Sequence, residues 1–247
     1  MKGAAWFAAG VAAVVFVRLT TVQGQGDCVP LPGHPGAVVC GVKVASGGHV
    51  ALAAPLEGAA TVETILADAL ATPLPTPNMR APLPTWLPAG VLMWEDEIRE
   101  AAAEVGLDPL ALAILVSIEC PSGNANCRSH IDPPAVGLAQ FMPDTADAVE
   151  QRSGIPCSDR TDGPTSLKCG AYHLVELLRM CGSLWRQDAE GDALACAGTG
   201  YSAGAGFIPA FKAHVLAGGD PRTAPIPAET RRWVSLALDT WERAGRK

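Results

Sequence analysis

The run from Leu110 to Ile118 constrains the fold most, because it is apolar on nearly every side and ends at a carboxylate, Glu119. A helix without a polar face must be buried inside a domain rather than lie on its surface. Asp108 and Pro109 precede the run and are typical of a helix start, since Asp accepts hydrogen bonds from free amides and Pro suits the first turn. The sequence therefore predicts a central helix surrounded by other elements.

The rest of the chain after Trp86 has the periodicity of helices, and no segment alternates convincingly as a strand would. A helix is predicted from Trp94 to Val105, ending at Gly106. Further amphipathic helices are predicted at residues 143–151, 167–179, 207–216 and 228–243. The fold class predicted for residues 86–247 is mainly α, in one domain of ordinary size.

Residues 25–85 form a small Pro/Gly-rich region that is predicted to be mixed α/β. Two β-prone runs, residues 38–44 and 49–53, flank a Ser-Gly-Gly sequence and predict a hairpin. A short helix is predicted at residues 61–71 from its apolar spacing. The proline-rich stretch at residues 72–84 is predicted to be a semi-rigid linker, because proline lacks the amide donor of regular structure.

Residues 1–24 have the pattern of an export signal: Lys2, an apolar run from Gly3 to Val17, and then polar residues. This run is shorter than the about 20 residues that span a bilayer, so cleavage is favoured over retention. If the segment is retained, residues 3–22 are the expected membrane anchor. The formal charge of −7 argues against nucleic acid as a partner, since binding to phosphates needs dense positive charge.

Eight cysteines agree with export, because an even number in an exported chain is typical of disulfides. Sequential pairing gives Cys28–Cys40, Cys120–Cys127, Cys157–Cys169 and Cys181–Cys196. The sequence alone does not fix this connectivity. The alternative is a zinc site of Cys120, Cys127 and His130, which is disfavoured because no Cys-x-x-Cys pair is present. No metal and no cofactor are expected.

Glu119 is the candidate for acid–base chemistry. Burial against apolar neighbours and the negative end of the helix dipole both disfavour its ionised form, so its pKa is expected to be raised. A raised pKa keeps a carboxyl group protonated near neutral pH, the state that can donate a proton. The alternative is a structural glutamate that reaches solvent where Cys120 and Pro121 end the helix.

Three segments after Glu119 carry a family resemblance. Residues 135–146 read Ala-Val-Gly-Leu-Ala-Gln-Phe-Met-Pro-Asp-Thr-Ala, residues 200–204 read Gly-Tyr-Ser-Ala-Gly, and residues 229–234 read Glu-Thr-Arg-Arg-Trp-Val. With the glutamate that ends a buried helix, they resemble the ordered motifs of the soluble lytic transglycosylase (SLT) family, whose members cleave peptidoglycan. The resemblance spans roughly Trp86 to Arg243 and implies a lysozyme-like helical catalytic domain.

The resemblance implies that Glu119 is the catalytic acid and base, and that Tyr201 lies beside it with a hydroxyl able to orient the carboxyl group. The residues implied to bind substrate are Gly137, Gln140, Met142 and Ser202. The chain departs from the family where Cys120 replaces Ser, Ser202 replaces Asn and Trp233 replaces Tyr. A disulfide at Cys120 is expected to hold the loop that the serine otherwise helps to organise.

The implied reaction cleaves the β-1,4 bond between N-acetylmuramic acid and N-acetylglucosamine and leaves a 1,6-anhydro product. No second carboxylate stands in a motif position suited to a two-carboxylate scheme. The nearest, Asp132 and Asp144, fit a turn and a helix start better. Two alternatives stay open: a lysozyme-type muramidase hydrolase on the same fold, and an inactive peptidoglycan-binding or assembly module.

The implied partner is the glycan strand of peptidoglycan. Wall turnover is one context, and the others are a secretion machine, a conjugation machine or a machine through which a phage enters the cell. The expected location is the periplasm or cell envelope, with anchoring through residues 3–22 if they are kept, or a virion if the chain is phage-encoded.

Overall fold

The structure is a computed structural model that describes residues 28–30, 38–43, 49–53, 79, 81–185 and 190–246. The chain divides into two units, Met1–Ala59 and Ala60–Lys247. Within the described ranges, no helix is both long and apolar enough to cross a membrane. The predicted export segment at residues 1–24 and the predicted helix at residues 61–71 lie outside the described residues, so both stay predictions.

The first unit contains a three-stranded antiparallel sheet in the order β1-β2-β3. Its strands are β1 (Cys28–Pro30), β2 (Val38–Lys43) and β3 (His49–Ala53). The predicted hairpin is confirmed, because β2 and β3 pair with Lys43 opposite His49. Strand β1 was not predicted from the sequence, and its register places Cys28 opposite Cys40. The disulfide between these two cysteines stays a prediction.

The second unit is helical in its described residues, which confirms the predicted mainly α fold class. Its helices are α1 (Ala89–Leu92), α2 (Glu95–Val105), α3 (Pro109–Glu119), α4 (Pro143–Ser153), α5 (Gly163–Met180), α6 (Gly182–Trp185), α7 (Glu190–Ala203), α8 (Ile208–Leu216) and α9 (Ala228–Arg243). Short 3₁₀ turns lie at Ala205–Phe207 and Pro221–Thr223.

Local capping chemistry sets several of these boundaries. Gly106 ends α2 with a φ of 70°, a backbone conformation in which a side chain is strained. Asp108 accepts a hydrogen bond from the Leu110 amide and caps α3 as predicted, a contribution of about 1 kcal/mol. Asp162 caps α5 in the same way, so α5 begins at Gly163, four residues earlier than its apolar pattern predicted.

Helix α3 is the buried centre of the second unit, as its sequence predicted. Every residue from Leu110 to Val116 is buried, and α3 packs against α2, α5 and α9. Helix α9 buries Trp233, Ala237 and Trp241 against this core. Leu236 was predicted to share that buried face, but it is 42% exposed, so that prediction was wrong.

Helix α7 was not predicted, although it packs between α5 and α9. Every residue from Gly191 to Gly200 is buried except Asp192, which is half-buried. Small residues on every side of the helix leave it no polar stripe, so it lacks the periodicity that reveals a surface helix. Gly198 and Gly200 also lower its intrinsic helix propensity, and packing on both sides compensates for that loss.

A smaller hydrophobic cluster adjoins α4. It consists of Ala139, Phe141, Ala146, Val149, Cys157 and Cys169. Tyr201 packs against both this cluster and the main core, and therefore lies at their junction.

The helical unit contains the disulfides Cys120–Cys127, Cys157–Cys169 and Cys181–Cys196, three of the four sequential pairs favoured from the sequence. The bond between Cys120 and Cys127 overturns the zinc alternative, because each sulfur is bonded to the other and neither is a free thiolate for a metal.

The end of the predicted linker is attached to the helical unit. Leu83 is only 4% exposed, and its amide donates to Glu95 Oε1 at 3.2 Å. The Arg99 guanidinium donates to the carbonyls of Met79 and Ala81. These contacts make the last linker residues part of the helical packing, while the predicted domain boundary at residue 85 stays a prediction.

Candidate active site

Glu119 is the last residue of α3 and is half-buried. The chain leaves the helix at Cys120, whose backbone is no longer helical and whose amide donates to the Val116 carbonyl. The apolar helix therefore carries the carboxyl group to the edge of the core, as the sequence suggested, and the following turn directs the chain away from it.

Burial raises the pKa of Glu119 to about 7, from an ordinary value of 4.5. A hydrogen bond from Trp233 opposes this rise, because it stabilises the ionised form, and the negative charge of Glu229 adds to it. The direction and the main cause match the sequence argument. Near pH 7 about half of the molecules then hold a proton that they can donate.

Trp233 makes the direct contact with the acid. Its indole Nε1 donates to Glu119 Oε1 at 2.8 Å, and in the described part of the chain this is the only hydrogen bond to the carboxyl group. Trp233 is 5% exposed and lies against Gly198 of α7, where an added Cβ would stand 1.8 Å from the indole ring. From the sequence, Trp233 was noted only as a departure from the family's tyrosine, and this bond, which joins residues 114 positions apart, was not predicted.

Tyr201 is close to the acid, but its hydroxyl has another partner. The hydroxyl donates to the Ala139 carbonyl at 2.6 Å, and the ring stacks on Phe141 with a centroid separation of 5.9 Å. Burial and the nearby charge of Glu119 raise the Tyr201 pKa well above its usual value. The orienting bond that the resemblance implied for Tyr201 is thus made by Trp233, and a catalytic contribution of Tyr201 stays a prediction.

Gln140 and Gly137 organise the loop that precedes α4. The Gln140 amide nitrogen donates to the carbonyls of Cys127 and Gly137 at 3.1 and 2.8 Å. Both amide hydrogens are used in these bonds, so the oxygen Oε1 is the polar atom left for a substrate. Gly137 has a φ of 89° and a Cβ there would lie 1.9 Å from the Arg160 carbonyl oxygen, so no other residue fits.

The loop between Cys120 and Cys127 is fixed at three points. The disulfide joins its ends, and the Trp94 indole donates to the Gly123 carbonyl at 2.8 Å. The backbones of Gly123 and Gly90 also touch, since a Cβ on Gly123 would stand 1.9 Å from the Gly90 oxygen. The disulfide therefore connects the residue after Glu119 to Cys127, whose carbonyl holds Gln140.

The other two predicted substrate residues lie at helix ends. Met142 is half-buried and precedes α4 in the N-cap position. Ser202 is exposed in the last turn of α7, and its hydroxyl lies 3.3 Å from the Thr230 hydroxyl of α9. Substrate binding by these residues, and by Gly137 and Gln140, stays a prediction.

Glu229 is a second carboxylate, which belongs to the motif at residues 229–234 but was given no catalytic role from the sequence. It is exposed in the first turn of α9, four residues before Trp233, and its charge acts on Glu119. Residues four apart share one helix face. Once Trp233 is known to contact the acid, its spacing from Glu229 therefore places the Glu229 carboxylate on the same side of α9.

Comparison with known proteins gives one family match. Residues 96–215, just under half of the chain, match the model of the transglycosylase SLT domain. No curated protein matches the sequence. The matched range contains Glu119, Gln140 and Tyr201, whereas α9 with Trp233 and Glu229 lies beyond it.

Proposed function

We propose that this protein is a lytic transglycosylase that uses Glu119 as its single acid and base, because residues 96–215 match the model of the transglycosylase SLT domain. The family match supports cleavage of glycosidic bonds in peptidoglycan. We assign the reaction to the β-1,4 bond between N-acetylmuramic acid and N-acetylglucosamine. The observation that carries the residue assignment is a half-buried carboxyl group at the end of α3 with a pKa of about 7.

The first chemical step is a proton transfer. Neutral Glu119 donates its proton to the glycosidic oxygen, the bond from that oxygen to the anomeric carbon breaks, and the electron pair stays with the oxygen of the departing N-acetylglucosamine. The substrate's own acetamido group stabilises the positive centre that remains. A second protein carboxylate is not needed for this step.

The second step regenerates the acid. The Glu119 carboxylate accepts the proton of the muramic acid C6 hydroxyl while that oxygen bonds to the anomeric carbon. The product is a 1,6-anhydro sugar and no water is consumed. General acid–base catalysis of this kind contributes about 10²–10⁴ in rate, so Glu119→Gln is expected to lower kcat by about that factor.

The position of Glu229 supports one alternative, a muramidase hydrolase. In a two-carboxylate hydrolysis, one group protonates the leaving oxygen and the other activates a water molecule. Glu229 lies near enough to Glu119 for its charge to raise the pKa of that acid. Glu229 is exposed, so water can reach it, as such a base requires.

Product analysis separates these reactions. Purified protein is incubated with isolated peptidoglycan, and the released fragments are analysed by mass spectrometry. A transglycosylase gives 1,6-anhydro fragments, and Glu229→Gln retains them. A hydrolase gives fragments heavier by one water, and Glu229→Gln abolishes them. Undiminished cleavage by Glu119→Gln would contradict both mechanisms, whereas wall binding without cleavage by the unchanged protein would favour the assembly module.

We infer a location in the cell envelope from the substrate, and the three described disulfides fit an exported chain. The periplasm is the proposed compartment, with residues 3–22 as an anchor if they are retained. A secretion, conjugation or phage machine is the proposed context in which local wall opening would be useful.

A further inference from the structure

The bond between Trp233 and Glu119 makes the two carboxyl oxygens of Glu119 unequal. Trp233 Nε1 lies 2.8 Å from Oε1, and within the described residues no hydrogen bond reaches Oε2. An indole nitrogen is a donor only, so it cannot accept a proton from the oxygen that faces it. A tyrosine hydroxyl in this place would be able to donate or accept, and would leave the position of the acid proton open.

Three helices prevent the indole from turning away. Trp233 belongs to α9, Glu119 ends α3, and Gly198 of α7 lies directly against the indole ring. The closeness of Gly198 leaves no room for even a methyl group between helix and ring. Since the ring is almost fully buried, its N–H direction is set by helix packing before any substrate binds.

We propose that Trp233 is a positioning residue that assigns the catalytic proton to Oε2 of Glu119. In the neutral acid, Oε1 is the carbonyl oxygen that accepts from the indole, and Oε2 is the hydroxyl oxygen. This inference rests on the proposed function and adds the atom that performs it. Oε2 gives its proton to the glycosidic oxygen and, after the bond breaks, takes the proton of the C6 hydroxyl.

One consequence is that the carboxyl group need not rotate during a catalytic cycle. Both proton transfers use the same oxygen, while Oε1 keeps the same donor throughout. The indole bond is stronger to the ionised carboxylate than to the neutral acid, because charge-assisted hydrogen bonds are the stronger class. Trp233 therefore also favours the carboxylate that exists between the two steps.

The direct test is NMR of the full-length protein labelled with ¹⁵N. The indole N–H signal of Trp233 is followed from pH 5 to pH 9, with Glu119→Leu as the reference that has no acceptor. Trp94 is the internal control, since its indole donates to the Gly123 backbone carbonyl, which does not titrate.

If the proton is on Oε2, the Trp233 signal shifts with pH but at pH 5 stays downfield of the Glu119→Leu signal and protected from exchange with solvent. If the proton is on Oε1, that oxygen is only a weak acceptor, and at pH 5 the indole shift and exchange rate approach those in Glu119→Leu. The second result overturns the proposal. Neither result depends on enzymatic activity, so failure of the proposed function is recognised separately.

The pH dependence of cleavage provides a second test. Trp233→Phe removes the donor, so the alkaline limb of kcat/KM is expected to move to higher pH and the maximum to fall roughly 10- to 100-fold. Trp233→Tyr restores a donor and is expected to recover part of both changes. An unchanged pH profile in Trp233→Phe contradicts the proposal, because a residue that only packs against its neighbours would leave that limb in place.

Discussion

Replacing Gly198 by Ala is expected to disturb Glu119 without touching it. The new Cβ would stand 1.8 Å from one carbon of the Trp233 ring and 2.2 Å from the next. Ordinary van der Waals contact begins near 3.4 Å, so the ring has to move by about 1.6 Å. A shift of that size takes the indole nitrogen out of its 2.8 Å bond to Glu119 Oε1.

The two energetic effects of this substitution have opposite signs. Overpacking a core costs about 1–3 kcal/mol, while replacing a helical glycine by alanine gains about 1 kcal/mol. The net loss of stability is therefore about 0–2 kcal/mol, and the variant is expected to fold. Loss of a hydrogen bond to an ionisable group costs about 1.5–3 kcal/mol, which corresponds to roughly a 10- to 100-fold decrease in activity.

The matched control is Gly191→Ala in the same helix. A Cβ at Gly191 meets its nearest atom, Trp241 Cδ1, at 3.2 Å, so only a small adjustment is needed. This control is expected to keep full activity and to gain up to about 1 kcal/mol in the free energy of unfolding. Denaturant unfolding and peptidoglycan turnover are measured for both variants. Wild-type turnover and an unchanged pH profile in Gly198→Ala would refute the reasoning.

Three further predictions concern charge and covalent linkage. Glu229→Gln removes a like charge, so the pKa of Glu119 falls and the alkaline limb of kcat/KM moves to lower pH; a shift to higher pH would contradict this. Glu119 binds a proton in the folded state between pH 4.5 and about 7 that the unfolded chain has released, so wild-type stability falls as pH rises through this window. The free energy of unfolding of Glu119→Gln, measured with denaturant, should therefore rise relative to that of the wild type by about 3 kcal/mol from pH 4 to pH 8. A difference that stays constant over this range would count against the raised pKa of Glu119. The double variant Cys120→Ala and Cys127→Ala should lose about 2 kcal/mol of unfolding free energy, and equal stability would show that other contacts hold this loop.

The fold was predictable where local sequence signals decide it. The buried pattern of α3, its Asp108 cap and the Gly106 end of α2 each follow from residues within a few positions. Helix α7 was not predictable in this way, because it is buried on nearly every side and therefore lacks the alternation of apolar and polar faces that reveals a surface helix. Its stability comes from packing against α5 and α9.

The candidate site also combines a residue that local sequence predicts with contacts that only the packing of distant segments creates. Glu119 was identified because an apolar helix ends in a carboxylate, a feature local to the sequence. Its donor, Trp233, comes from a helix that begins more than 100 residues later, and only the packing of α9 on Gly198 brings the two together. The hydroxyl of Tyr201 goes to the Ala139 carbonyl for a similar reason, since the loop that carries this acceptor is placed by distant contacts.

The claim on which the account depends is that Glu119 keeps its proton near neutral pH. Titration of its side-chain carboxyl carbon by ¹³C NMR measures this directly, with Glu119→Gln to identify the signal. The account predicts a midpoint of about pH 7. A midpoint near the ordinary value of 4.5 would contradict it, because the group would then be ionised at neutral pH and unable to serve as the acid.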